Sequence, residues 1–503
     1  MNTLFKPTSY KKGAAVAVSA TFVWKVISFA NALLIALYFG ADRQTDIYFY
    51  LLMLLGFGVA FLQRLNQSVL IPEAMFLTQE NETKSRQFTN MWLYVYAAIA
   101  VLVTLLGVWR AAPVWGVLSR FGGPVLTQDR WLLTCGFFLF GLQIITYYLI
   151  AVAEMYKFFK TAWLGALNAL CPLLCLLIWG GQLGIISMVY GFLIANVLQI
   201  AVLLILLKTQ LAWHFVPAWV PLRTQTRQNM LTGQTLAALD MLNGWLPVYL
   251  MSAMSIGLVS ALNYCKQFTD STTEVFTARV ANVAKIEMTE QTAQQHYTQA
   301  NQTFLTNSYT LLALLAPLVV FSCYFAPQIV ELFFKRGQFG AQAVQDTVCF
   351  LRPMLFTLLL GAVGYLQNSM IAALRKIKEW FPYALASGLI FMGLMLFFIP
   401  RAGAFSYPYI VGAGLIIGFI LNAFLFAKHF PFIDYIRPFG QLIRFTLQAG
   451  LALLPAALLA KHLPAVCWLQ IVESGLVFVT VYGGLLWLSK DLQKLRECLR
   501  NGF

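Results

Sequence analysis

Long apolar runs recur along this chain about every 30 residues, and there are fourteen: roughly 14–39, 46–78, 89–109, 131–154, 160–180, 184–207, 229–252, 256–284, 303–325, 342–373, 381–399, 406–427, 441–460 and 465–489. Each is close to the ~20 residues that carry a helix across a hydrocarbon core. In lipid every backbone N–H and C=O must be satisfied within the protein, which leaves helices or closed barrels. The strand alternation of a membrane barrel is absent. The 503 residues are 60% hydrophobic and only 11% charged, with mean hydropathy +0.73. A water-soluble chain of this size carries far more charge. The expected fold is an all-α polytopic membrane protein of fourteen transmembrane helices, the eighth and tenth being the least apolar.

The start, MNTLFKPTSYKKG, is polar and basic, and the first apolar run is too long for a cleaved signal; it reads as a helix that stays in the protein. With the N-terminus in the cytoplasm, 21 Lys and Arg fall at cytoplasmic ends, 8 in outer loops and five inside segments. This bias predicts both termini inside and an even helix count. The net charge of +15 then reflects topology and attraction to anionic inner-leaflet lipid, not nucleic acid. Cys171 and Cys175 lie one turn apart, other cysteines are scattered, and His214, His296, His429 and His462 are isolated, so no metal site is predicted. No GxxxxGK loop is present, which excludes that route to ATP. No cofactor is implied.

The chain reads as internally duplicated. Gly40 and Asp46 are matched by Gly257 and Asn263 at an offset of 217, Arg120 by Arg336 at 216, and the basic hairpin Lys157–Lys160 by Lys376–Lys378 at 219. Six helices per repeat is an even number, so the halves share one orientation about a pseudo-twofold along the membrane normal. The predicted organisation is a six-helix lobe over 1–207, a basic linker over 208–228, a second six-helix lobe over 229–427, and two further helices with a basic tail over 428–503. Two parallel lobes with a substrate chamber between them are the geometry of an alternating-access transporter.

Lys25, Arg64, Lys266 and Arg352 lie inside apolar segments, where a charge costs at least ~2.5–3.5 kcal/mol and marks a cavity or a path. Several such cations suggest a polar chamber for an anion. Lys25 and Lys266 are compact charges suited to phosphate; the alternative is structural pairing with Asp240, Asp270 or Glu274, and Asp240, 215 residues from Lys25, is its equivalent by the repeat and expected to face it across the chamber. Lys266, Asp270 and Glu274 are spaced four apart on one helical face, fit to bind a cation, carry a proton or neutralise Lys266. Arg64 sits in the polar stretch QRLNQS, with Arg279 as its repeat mate, where headgroup contact competes with interfacial snorkelling. Arg352 precedes Pro353, a candidate hinge. Arg336 reads as a loop cap.

Four stretches carry a family resemblance: FGADRQTDIYFY (Phe39–Tyr50), VSALNYCKQF (Val259–Phe268), ELFFKRGQFGAQAV (Glu331–Val344) and AALRKIKEWFPYA (Ala372–Ala384). Through them the chain resembles the lipid II flippase (MurJ/MviN) family of the multidrug/oligosaccharidyl-lipid/polysaccharide exporter superfamily. The resemblance implies two six-helix lobes and two extra helices flanking a groove for a lipid tail. It also implies movement of a polyprenyl-pyrophosphate-linked saccharide from inner to outer leaflet of the bacterial cytoplasmic membrane.

The chain departs from the family where headgroup charge is expected. Lys25 stands for an Arg, Asn31 and Ala32 for an Arg-Asp pair, and Lys266-Gln267 for Asp-Arg. The expected substrate-binding set is therefore Lys25, Asn31, Arg64, Lys266 and Arg352, with Asp240, Asp270 and Glu274 for ion coupling or charge pairing. The expected partners are the lipid-linked saccharide, anionic membrane lipids and a coupling cation, with a single chain sufficing. An exopolysaccharide or O-antigen unit fits as well as lipid II. A drug/cation antiporter is opposed by the excess of cations. A membrane-embedded glycosyltransferase is opposed by short outer loops without paired carboxylates, so no enzyme activity is expected.

Overall fold

The computed structural model of the chain describes residues 10–374, 376–464 and 466–502. Lys6 and Arg375, both counted in the charge bias, lie outside the described residues, as do the side chains of Lys11, Lys12, Arg279 and Arg500. All regular structure among the described residues is helical. Packing divides the chain after Ser260.

The first unit holds α1 (Tyr10–Phe39), α2 (Arg43–Leu65), α3 (Ile71–Glu80), α4 (Glu82–Leu118), the short α5 (Gly123–Gln128), α6 (Arg130–Met155), α7 (Leu167–Leu183), α8 (Ile186–Gln210) and α9 (Thr224–Met251). Local chemistry sets several of these boundaries. Asp42 caps α2 by accepting from the Thr45 amide at 2.8 Å, and Asn81 caps α4 by accepting from Thr83. A single π-helical turn, Asn66–Leu70, joins α2 to α3 without a loop; a wide turn of this kind often sits at a working part of a helix. Pro113 lacks a donor, and α4 kinks one turn earlier at Arg110. Gly191 of α8 lies so close to α7 that an added Cβ would stand 2.3 Å from the Pro172 Cα.

α10 (Leu258–Thr272) begins at the end of the first unit and continues into the second. A π-helical turn, Thr273–Ala278, leads into α11 (Arg279–Ala293). The second unit continues with α12 (Tyr297–Tyr324), α13 (Ala326–Phe334), α14 (Ala341–Ala373), α15 (Ile377–Ala402), α16 (Tyr407–His429), α17 (Arg437–His462), α18 (Cys467–Leu488) and α19 (Asp491–Gly502). α14 runs through Pro353 without a break, so the predicted hinge there is not a helix end.

Twelve helical stretches among the described residues are long and apolar enough to cross a membrane. The helices at the seventh and eighth predicted runs, α9 and α10, are not among them, whereas α14, the tenth run and expected to be one of the two least apolar, is. α9 is diluted by Gln234, Asp240 and Asn243, and α10 by Lys266 and Asp270. Val101, Leu102, Leu105 and Trp109 of α4 and Leu447, Leu451, Leu454 and Leu458 of α17 stand exposed. Stripes this apolar on an outer face suit lipid, not water.

The predicted linker is strapped down. Residues 212–223 have no regular structure, yet α4 holds them at 213–216 and at Val220. The Asn90 amide donates to the carbonyls of His214 and Val216, at 2.8 and 3.1 Å. The Tyr94 hydroxyl donates to the Phe215 carbonyl at 2.7 Å, and the buried Trp213 indole donates to Asn90 Oδ1.

Candidate functional site

The polar features of the first unit concentrate where the α2–α3 rod runs along α9 and the turn after it. At one end Asp46, 4% exposed, accepts three hydrogen bonds: from the Gly257 amide at 2.7 Å, the Ser260 amide at 2.8 Å and the Ser260 hydroxyl at 2.6 Å. A buried carboxylate is expensive unless its lone pairs are filled in this way. Gly257 takes φ +92°, and an added Cβ would meet the Ala41 carbonyl at 2.9 Å. Gly40, its expected repeat mate, also has positive φ, so both turns use the freedom only glycine has there.

One step further along, the Trp245 indole donates to the Tyr50 hydroxyl and to the Leu118 carbonyl, each at 3.1 Å. Gly244 leaves room for the Phe57 ring. Arg64 then pairs with Asp240, both side chains being about half exposed or more. Beyond the π turn, Glu73 of α3 is nearly buried and accepts from Arg223 Nε at 2.7 Å and from the Thr226 hydroxyl at 2.7 Å. Asn66, in the π turn itself, accepts from the Tyr96 hydroxyl at 2.8 Å. The seam thus carries a buried acid at one end and two ion pairs of opposite polarity toward the other.

Of the predicted site residues, this seam joins Arg64 to Asp240, although repeat arithmetic paired Asp240 with Lys25. Lys25 lies on α1 with its ammonium 5.0 Å from the Trp24 ring centre. Asn31 is buried and donates to the Ala169 carbonyl at 2.7 Å, tying α1 to α7; its own carbonyl oxygen is buried without a partner among the described residues. Its amide N–H is therefore engaged between helices.

In the second unit Lys266 is half-buried on α10, with Asp270 and the Tyr407 hydroxyl within electrostatic reach. Asp270 and Glu274 both lie within reach of Tyr365, although Glu274 falls inside the π turn. Arg352 is exposed, contrary to the expectation of a buried charge, and its carbonyl faces the Cys323 thiol at 3.8 Å. Arg336 donates to the Leu332 carbonyl at the end of α13, the capping role expected of it. Beside it, the Lys335 ammonium bonds Glu331 at 2.6 Å and holds that carboxyl below its usual range. Phe339 is buried against Tyr264 and Phe334. No group of three His, Cys, Asp or Glu able to hold a metal occurs among the described residues.

Sequence reasoning used Asp46 only as a marker of the repeat, counted Arg223 only as one cytoplasmic cation of the basic linker, and passed over Glu73. A polar residue three to six positions past a turn glycine was the available signal for Asp46. For Glu73, an acid inside a long apolar run was the signal.

A profile of the family described as "Lipid II flippase MurJ" matches residues 35–482. Among solved structures, the chain is similar to the lipid II flippase MurJ in an inward closed conformation. Identity is 16% and the TM-score 0.79, covering 95% of this chain and 99% of that one. It is also similar to a multidrug resistance MATE family transporter of the MOP superfamily in an inward-facing conformation, at 11% identity and TM-score 0.64, over 83% of this chain and 99% of that one. Comparison with curated protein sequences finds no match. At these identities the structural likeness is one of fold.

Proposed function

Because the chain belongs to the lipid II flippase MurJ family, we propose that it is a multi-pass transporter that moves a polyprenyl-pyrophosphate-linked cell-envelope glycan precursor from the inner to the outer leaflet by alternating access. The observation that carries this reading is the family match over residues 35–482, in a chain with twelve candidate spans and cations retained inside them. A pyrophosphate headgroup cannot enter hydrocarbon with its charge bare. Lys25 and Arg64 in the first unit, and Lys266 and Arg352 in the second, are the groups assigned to offset that charge. Asp240, Asp270 and Glu274 are their pairing partners or a coupling-cation site. Fourteen spans, with α9 and α10 crossing as the seventh and eighth and both termini in the cytoplasm, complete the reading.

In this mechanism the Asp46 bonds to Gly257 and Ser260 hold the outer end of the α2–α9 seam shut. The Arg64–Asp240 pair must part for Arg64 to meet a headgroup. Outward movement of an anion is favoured by an inside-negative potential, about 2.3 kcal/mol per charge per 100 mV.

A second headgroup, an exopolysaccharide or O-antigen unit, is favoured by one feature. Asn31 and Ala32 stand where the family resemblance calls for an Arg-Asp pair, and Lys cannot reproduce the planar recognition of Arg. Complementation of a strain depleted of its essential lipid II flippase separates the two. Rescue of growth and of outer-leaflet lipid II supports the lipid II reading. Failure with the protein correctly inserted, alongside rescue of a polysaccharide-export defect, supports the second. In either assay Lys25→Ala/Lys266→Ala is expected to abolish transport at normal protein level, and full transport by that double variant refutes the cationic mechanism.

A further inference from the structure

Arg223 was counted above as one cation of a basic linker, but its surroundings are those of a prepared ligand contact. Its Nε bonds Glu73, which is nearly buried and held from its other side by Thr226. Its guanidinium lies over the Phe76 ring, 3.6 Å from the centre. Those two contacts fix the plane of the group. Its two terminal amino groups have no hydrogen-bond partner among the described residues, and the side chain is 42% exposed. In front of it is a cavity of about 240 Å³ lined also by Ser68, Pro72, Glu73 and Thr226. No Asp or Glu occurs from Lys208 to Leu239, so Glu73 is the one acid lining the cavity, and it is already paired.

A guanidinium anchored through Nε and stacked on a ring presents its terminal N–H groups as a rigid fork. Such a fork matches phosphate oxygens, and less of its freedom is lost on binding. We propose that Arg223 and this cavity form a binding site for a phosphate-bearing lipid headgroup, held in shape by Glu73 and Phe76. The site lies beyond the π turn from Arg64, at the end of the first unit that the proposed orientation puts in the cytoplasm. It deepens the flippase reading as a first contact for the headgroup, and it rests on that reading only for which lipid is bound.

Native mass spectrometry of the full chain in detergent tests it, with geranyl pyrophosphate, phosphatidylglycerol and inorganic pyrophosphate as separate probes. The wild-type protein is expected to retain one lipid probe. Arg223→Gln keeps a donor for Glu73 but loses the fork and the charge, and is expected to bind about tenfold more weakly. Arg223→Lys is expected to fall between. Phe76→Leu keeps the ion pair and removes only the ring; it is expected to weaken binding severalfold and serves if Arg223→Gln does not fold. Selective loss of geranyl pyrophosphate assigns the site to the transported class of lipid, and selective loss of phosphatidylglycerol to a resident phospholipid; both support the site. Equal lipid retention by wild type and variants overturns it, as does binding of inorganic pyrophosphate with neither lipid. Complementation reads transport independently, so failure of the site leaves the flippase reading standing, and the converse also holds.

Discussion

Replacing Asp46 by asparagine tests the seam where its chemistry is most concentrated. The two side chains have nearly the same shape, so packing is preserved while the charge and one acceptor are removed. In the native protein one carboxylate oxygen takes the Gly257 amide and the other takes both donors of Ser260. In the Asp46→Asn variant an NH2 replaces one oxygen, and one of these donors then faces a donor. A hydrogen bond to a charged group contributes about 1.5–3 kcal/mol, and those that remain drop to the neutral range of ~0.5–1.5. Burying a neutral amide is easier than burying a carboxylate, which offsets part of the loss. The net expectation is ~2 kcal/mol, or roughly a 30-fold rise in the open population of the 257–260 turn. Hydrogen-exchange mass spectrometry of a peptide covering 252–260, in detergent or nanodiscs, reads this directly. The effect of Asp46→Ala should exceed that of Asp46→Asn, since it leaves three buried donors unmet. Unchanged protection of Gly257 and Ser260 in both variants would refute the idea that this carboxylate closes the turn.

Three further outcomes are expected. Gly191→Ala drives a Cβ to within 2.3 Å of the Pro172 Cα and 2.5 Å of its nitrogen. Both are backbone atoms that cannot step aside, so α7 and α8 must part at ~1–3 kcal/mol; thermal unfolding should show it, with Gly181→Ala, in open space, as the unaffected control. Burial alone would raise the Asp491 carboxyl, but hydrogen bonds from Ser489 and Tyr309 and the charge of Arg444 outweigh it and hold it below its usual range. Its contribution is therefore complete above about pH 4 and lost as the pH falls below that. The thermal-stability advantage of wild type over Asp491→Asn should persist from pH 7 to 5 and shrink progressively as the pH falls below about 4. Cysteines placed at Lys84 and Lys376 should label only from the cytoplasmic side, and outer labelling at Lys376 would sink the proposed topology and the repeat together.

The helices were legible because membrane insertion writes itself into composition one segment at a time. The cations within segments were legible for the same reason. What they touch was not. Asp240 reads from the repeat as facing Lys25, but its partner Arg64 is set by how α9 lies along α2, and no spacing encodes that. The strap over 212–223 read as a basic, weakly apolar linker. Its attachment depends on Asn90 and Tyr94, which lie inside an apolar run and signal nothing about a segment 120 residues away. Repeat arithmetic and packing also divide the chain by different criteria, one by descent and one by neighbours. α9 begins the second repeat by the first criterion and packs in the first unit by the second.

The bonds from Asn90 and Tyr94 to the strap go to its main chain. Asn90 and Tyr94 grip the carbonyls of three successive residues, His214, Phe215 and Val216, and read none of their side chains. Substitutions at the exposed His214 and Val216 should therefore be tolerated, because every residue offers the same carbonyl, whereas the Phe215 ring also packs against the core. Length is another matter. Removing one residue between Trp213 and Arg223 would slide each carbonyl one place along α4 while Trp213 and Arg223 stay pinned at the two ends. The segment acts as a ruler whose markings are peptide units, lenient about spelling at its exposed letters and intolerant of a missing one.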